Sequence, residues 1–134
     1  MFCSDARLIY EIARSRLSHS GHILNLDMND YDEFAVGRSV ICAVGLKSEK
    51  QFAEFLDELR KQLHNVQCAV DQPSDVLIHL LAHPQVDMTM ANYSLLSSLF
   101  KEFFGDSIKA KIGYATDDNL PSNYKDIMVF VAGQ

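Results

Sequence analysis

The chain has 134 residues, 48% of them hydrophobic and 22% charged, with a formal charge of −6 at neutral pH. That is the composition of one globular domain with a core of its own, not of a disordered segment. The negative balance sets nucleic acid and anionic membranes aside as general partners, because both select basic surfaces. Cys3, Cys42 and Cys68 are odd in number and show no C-x-x-C spacing, so free thiols in a reducing cytoplasm are expected. The first residues lack a basic region leading into an apolar stretch, and the longest apolar runs, 40–46 and 76–82, are strand-sized and too short to span a bilayer. The expectation is a cytoplasmic protein without membrane insertion.

In residues 4–18, Leu8, Ile9, Ile12, Ala13 and Leu17 recur at helical spacing, and Gly21 is suited to stop that helix. A short acidic connection follows, then an amphipathic piece over 31–38 worth one or two helical turns. The β-branched run 40–44 reads as a strand buried on both faces. Ser48-x-x-Gln51 has a capping-box pattern ahead of Phe52, Phe55, Leu56, Leu59 and Leu63, the clearest helical stripe in the chain. A polar connection with a proline at 71–74 leads to a second buried strand over 76–81, which Pro84 ends.

A further helix is predicted over 89–104, with Tyr93, Leu96, Leu99, Phe100 and Phe103 on one stripe, Asp87 or Thr89 as its cap and Gly105 as its stop. Residues 107–116 alternate, with Ile108, Ala110, Ile112 and Tyr114 on one face and Lys109 and Lys111 on the other. That is a half-exposed strand whose lysines suit a protected edge. After the turn-rich stretch 117–123, residues 126–132 form a last apolar strand, and these two neighbours taken alone would be drawn as a hairpin. The fold class is therefore α+β in two layers: a leading helix, then β-α-β-α-β-β, with a four-stranded mixed sheet covered by two helices.

The acidic connection holds the candidate site. Asn25, Asp27 and Asp30 stand at n, n+2 and n+5, three oxygen acceptors on one loop, a set able to orient a water or share a cation. No Gly-rich phosphate loop, nucleophile elbow or pair of zinc ligands accompanies them. The same residues also serve as turn formers, and Asp30 can cap the segment that starts at Tyr31. Other candidates are weaker. His79 and His83 are four apart, a metal spacing only on a helix, whereas this segment reads as a strand. His19 and His22 flank Gly21 in a stretch that reads first as a solvated turn, with proton carrying for the loop as the alternative. Phe100, Phe103 and Phe104 are at core spacing.

Together, order and loop resemble the C-terminal half of the FtsZ/tubulin family of filament-forming GTPases, on the bacterial FtsZ side, over nearly the whole chain from Asp5 to Gly133. Residues 1–20 resemble the end of the family's central helix. Residues 21–38 resemble its catalytic loop and the short helix after it, with N-x-D-x-x-D intact at Asn25, Asp27 and Asp30. Residues 39–134 resemble its C-terminal domain. Asp75-Val76-Leu77-Ile78-His79 stands where the family reads like G-V-L-I-N, and residues 108–118 and 127–133 resemble its closing strands. The resemblance implies a strand order of first, fourth, second, third, with 107–116 at an edge and no final hairpin. Several features depart from the pattern. The loop has an extra residue between Gly21 and Asn25, Met28-Asn29 stand where Phe-Ala is frequent, and His83-Pro84 replace a common glycine. The family's nucleotide-binding half has no counterpart in these residues.

What the resemblance implies is a site shared between subunits. One subunit holds GTP, and the next contributes the loop, with Asp27 and Asp30 positioning the attacking water and Asn25 contacting the nucleotide or organising the loop. Magnesium, and a monovalent cation beside it, would let two carboxylates approach a triphosphate. Alone, the chain is expected to bind no cofactor and to catalyse nothing, while completing a GTPase site in trans. The leading expectation is an FtsZ-like domain in filament assembly or cell division, docking on a neighbouring FtsZ-like subunit as a cap or modulator. One alternative is a fragment of a split or truncated GTPase, partnered by a separate nucleotide-binding half. Another is a small ligand-binding module with the related chorismate-mutase-like architecture.

Overall fold

The computed structural model describes residues 2–3, 10–11, 23–24, 33–34, 39–69, 73–86, 89–106 and 108–133. In chain order the elements are β1 (Phe2–Cys3), β2 (Ile23–Leu24), β3 (Ser39–Ser48), α1 (Phe52–Ala69), β4 (Pro73–Ala82), α2 (Met90–Phe104), β5 (Lys109–Thr116) and β6 (Lys125–Gly133). Tyr10 and Glu11 are helical, as are Glu33 and Phe34. The rest of the leading helix and of the 31–38 piece lies outside the described residues.

The four long strands lie in the order β3-β6-β4-β5, and the two-residue strands β1 and β2 extend the sheet at its two ends. Here β4 and β5 are parallel and joined through α2, while β6 runs antiparallel to both β3 and β4. This is the mixed sheet expected, and it excludes a hairpin between the last two strands. The reason is burial. Ile127, Val129, Phe130, Val131 and Ala132 are all fully buried, so β6 needs cover on both faces and takes the centre. The start of β5 is exposed through Lys109, Ala110 and Lys111, and that strand is pushed outward, with only β2 beyond it.

Residues opposite one another in register share a face. On one face, Cys42, Val131 and Val76 form a row, followed by Val44, Val129, Ile78 and Ile112, then Leu46, Ile127, Leu80 and Tyr114. Against these rows pack Phe55, Leu59, Leu63 and Val66 of α1 and Leu96, Leu99, Phe100 and Phe104 of α2, forming the core. An ion pair between Arg60 and Glu102 joins the two helices on their outer side. Phe130 belongs to the opposite face, where the ring of Tyr10 meets it edge-on at 5.4 Å, and Phe34 lies 5.6 Å from Tyr10. The leading helix therefore contributes cover to the back of the sheet, through Tyr10, which is 1% exposed.

Helix α2 ends as its sequence indicates. Thr89 is the N-cap and accepts a hydrogen bond from the Asn92 N–H at 3.1 Å. Gly105 is the C-cap at φ +79°, a value that favours glycine, and its N–H donates to the Lys101 carbonyl. Helix α1 starts differently. Ser48 is the last residue of β3, and its hydroxyl accepts from the Lys50 N–H in a tight turn; the helix itself begins with the Phe55 N–H donating to the Gln51 carbonyl. The capping-box reading of Ser48 is corrected accordingly: strand pairing of Ser48 with Lys125 holds it in the sheet.

Candidate functional site

Strand β2 is the part of the acidic loop's approach that the structure describes. Ile23 pairs with Ala115 and Leu24 with Tyr114, antiparallel, on the outer side of β5. Leu24 is the residue immediately before Asn25. Asn25, Asp27 and Asp30 themselves lie outside the described residues, as do His19 and His22. The chain thus enters the loop from a hydrogen-bonded sheet position.

Tyr114 is half-buried and packs against the core. Burial raises its phenol above the ordinary value of 10.0, so the side chain stays neutral well beyond physiological pH. Because β2 is antiparallel to β5, it heads toward the Lys109 end of that strand. Lys109 and Lys111 are exposed there, which agrees with the half-exposed strand read from their alternation. They place positive charge on the end of the sheet toward which β2 runs.

The remaining candidates divide by position. His79 is 7% exposed in the middle of β4, between Met128 and Gly113 on the face away from α1 and α2. His83 lies just past the strand, where its Nδ1 accepts from the Gln85 N–H at 3.0 Å and its own N–H donates to the Tyr124 carbonyl. One is a core residue and the other a turn residue, and strand geometry separates them. Phe100 and Phe104 stack at 6.4 Å within the core, and Cys42 is a buried free thiol. Among the described residues, no group of three or more His, Cys, Asp or Glu side chains is placed to hold a metal ion. No helix among them is long and apolar enough to cross a membrane.

Two features escaped the sequence reading. One is β2, for which the only signal was two apolar residues, Ile23 and Leu24, ahead of the acidic stretch. The other is Lys125, fully buried at the start of β6 although it is a lysine beside a polar loop. Its ammonium lies 5.8 Å from the centre of the Phe55 ring and donates to backbone carbonyls.

No family model matches the sequence, and no curated protein is significantly similar to it. Solved structures do match. An empty FtsZ dimer from M. jannaschii superposes over 95% of this chain with a TM-score of 0.64 at 15% identity. A second FtsZ structure from that organism, of a point mutant, covers 68% of this chain with a TM-score of 0.49 at 13% identity, over 27% of its own length. The chain spans 39% of the first of these proteins. With β3-β6-β4-β5 in the order that the resemblance implies, two helices on one face and the leading segment's Tyr10 on the other, the chain has the fold of an FtsZ/tubulin-like C-terminal domain.

Proposed function

We propose that this domain acts in filament assembly or cell division, docking its Asn25, Asp27 and Asp30 loop on the GTP site of a neighbouring FtsZ-like subunit as a cap or modulator. The observation that carries this reading is the pairing of Leu24 with Tyr114 within an FtsZ-like fold, directly ahead of N-x-D-x-x-D. The 134 residues contain no Gly-rich phosphate loop, so the nucleotide would be held by the partner. In the completed site Asp27 and Asp30 would position the attacking water and Asn25 would contact the nucleotide or order the loop. Magnesium held with the triphosphate would offset the charge of the two carboxylates. Positioning and charge management supply most of the rate of phosphoryl transfer, so a donated loop is a sufficient contribution.

A head-to-tail filament grows only from subunits that present both complementary faces. A chain with the loop face alone adds to an end and stops extension there. Mixed with a complete FtsZ, the domain should shorten filaments or change GTP turnover, and Asp30→Ala should abolish any stimulated turnover. Absence of both binding and effect for the wild type, across a range of mixing ratios, overturns the reading.

The 39% coverage also supports a second reading, in which the chain is one piece of a split or truncated GTPase. A separately produced nucleotide-binding half should then gain GTP hydrolysis on mixing, while the chain alone binds no GTP in calorimetry. Tight GTP binding by this chain alone would defeat both readings.

A further inference from the structure

Lys125 carries an inference independent of the docking loop. It is the first residue of β6, opposite Ser48 on β3 and Ala82 on β4, and it is 0% exposed. Its ammonium has three protons and meets three oxygens: the Lys50 carbonyl, the Asn123 carbonyl at 2.9 Å and Asn123 Oδ1 at 3.4 Å. Asn123 is arranged for this. Its φ of +63° turns the main chain so that its carbonyl and its side-chain oxygen both reach Nζ, and asparagine tolerates that conformation. The other end of its amide, Nδ2, donates to the Glu49 carbonyl at 2.7 Å. The ring of Phe55 closes the remaining side.

We infer that the turn between β3 and α1 and the loop between β5 and β6 together form an ammonium cradle, which Lys125 fills from within the chain. The lysine thereby locks the two segments into one unit that opens and closes together. Asn123 Nδ2 and the pairing of Ser48 with Lys125 join the segments beside the cradle, while the amides that report on it are satisfied within their own segments, the Lys50 N–H by Ser48 and the Tyr124 N–H by Pro121. The cradle's specificity is for a cation that donates hydrogen bonds along three directions, so a primary ammonium fits it and a quaternary one does not.

Amide hydrogen exchange on the full chain tests this. In Lys125→Met, which keeps the stem and removes the charge, the Lys50 and Tyr124 amides should both exchange about tenfold faster or more, the scale of a lost charged hydrogen bond. The Asn92 and Gly105 amides at the ends of α2 should not change. Asn123→Gly keeps the left-handed backbone and leaves the core untouched, so it reports even if a Lys125 variant fails to fold, and it should shift the same two amides in the same direction. In Lys125→Ala, n-propylammonium should restore protection of both, and tetramethylammonium at equal concentration should not. The inference is overturned if Lys50 and Tyr124 respond separately, if neither responds in Lys125→Met or Asn123→Gly, or if the two ammonium ions act alike.

Discussion

Leu24 on β2 lies opposite Tyr114 on β5, so the residue that precedes Asn25 is bound to the same strand whose lysines mark the edge of the sheet. A two-residue strand contributes little to the stability of a sheet whose fully buried core begins two strands inward, at β4. Its consequence is positional, since it fixes where the acidic segment begins.

Proline at position 24 would remove a backbone donor and restrict φ. Leu24→Pro should therefore weaken the effect on a partner's GTP turnover as strongly as Asp30→Ala does, while the far-UV spectrum stays that of the wild type. Urea unfolding should show a loss below about 2 kcal/mol. A larger loss would make β2 part of the core.

The back of the sheet depends on Tyr10 and Phe130. Phe130→Ala should cost about 3–5 kcal/mol, as for a large buried aromatic. A double-mutant cycle with Tyr10→Ala should give a coupling of about 0.5–1.5 kcal/mol beyond additivity. A coupling near zero would mean that the leading segment does not cover this face in solution.

Two buried groups bend the alkaline stability curve in opposite directions. Tyr114 has its pKa raised by burial, so its contribution is complete below 10.0, the unfolded value, and is lost as pH rises from there through the folded value. Lys125 has its pKa lowered by burial, so folding disfavours its charged form, and stability gained from this group appears as pH rises through the folded value toward 10.5. Urea midpoints followed from neutral pH upward should decline less above 10.0 in Tyr114→Phe than in the wild type. In Lys125→Met the rise below 10.5 should be missing.

Charge reversal at Lys109 and Lys111 tests the edge beyond Leu24. The pair Lys109→Glu and Lys111→Glu should leave stability within about 0.5 kcal/mol of the wild type, as for exposed positions. It should weaken docking on an anionic nucleotide site, with the difference shrinking as salt is raised. A salt-independent difference would point to misfolding of β5 instead.

The ends of α2 are the simplest stability test. Thr89→Ala removes the hydroxyl that caps the Asn92 N–H and should cost about 1 kcal/mol. Gly105→Ala places a side chain at φ +79° and should cost about 1 kcal/mol, although open space surrounds the new Cβ. Thermal melts of the two variants decide both values.

By itself, the sequence determined the elements whose signals are local. The stripe from Phe52 to Leu63, a cap at Asp87 or Thr89, the stop at Gly105 and the apolar runs in β3, β4 and β6 each follow from periods and residue types a few positions apart, and the fold selects Thr89 as the cap. The resemblance added the strand order, which the fold bears out. Residue periods alone left β5 and β6 as a hairpin, and the fold instead puts β6 between β3 and β4, because a strand apolar on both faces is stable only where both faces are covered. Only the tertiary structure decided the start of α1, where pairing in the sheet held Ser48 back from a helical cap. Lys125 shows the same division most sharply. Its charge and its place beside an apolar strand are plain in the sequence, but its burial depends on a carbonyl 75 positions away at Lys50, and no local pattern encodes so distant a hydrogen-bond acceptor.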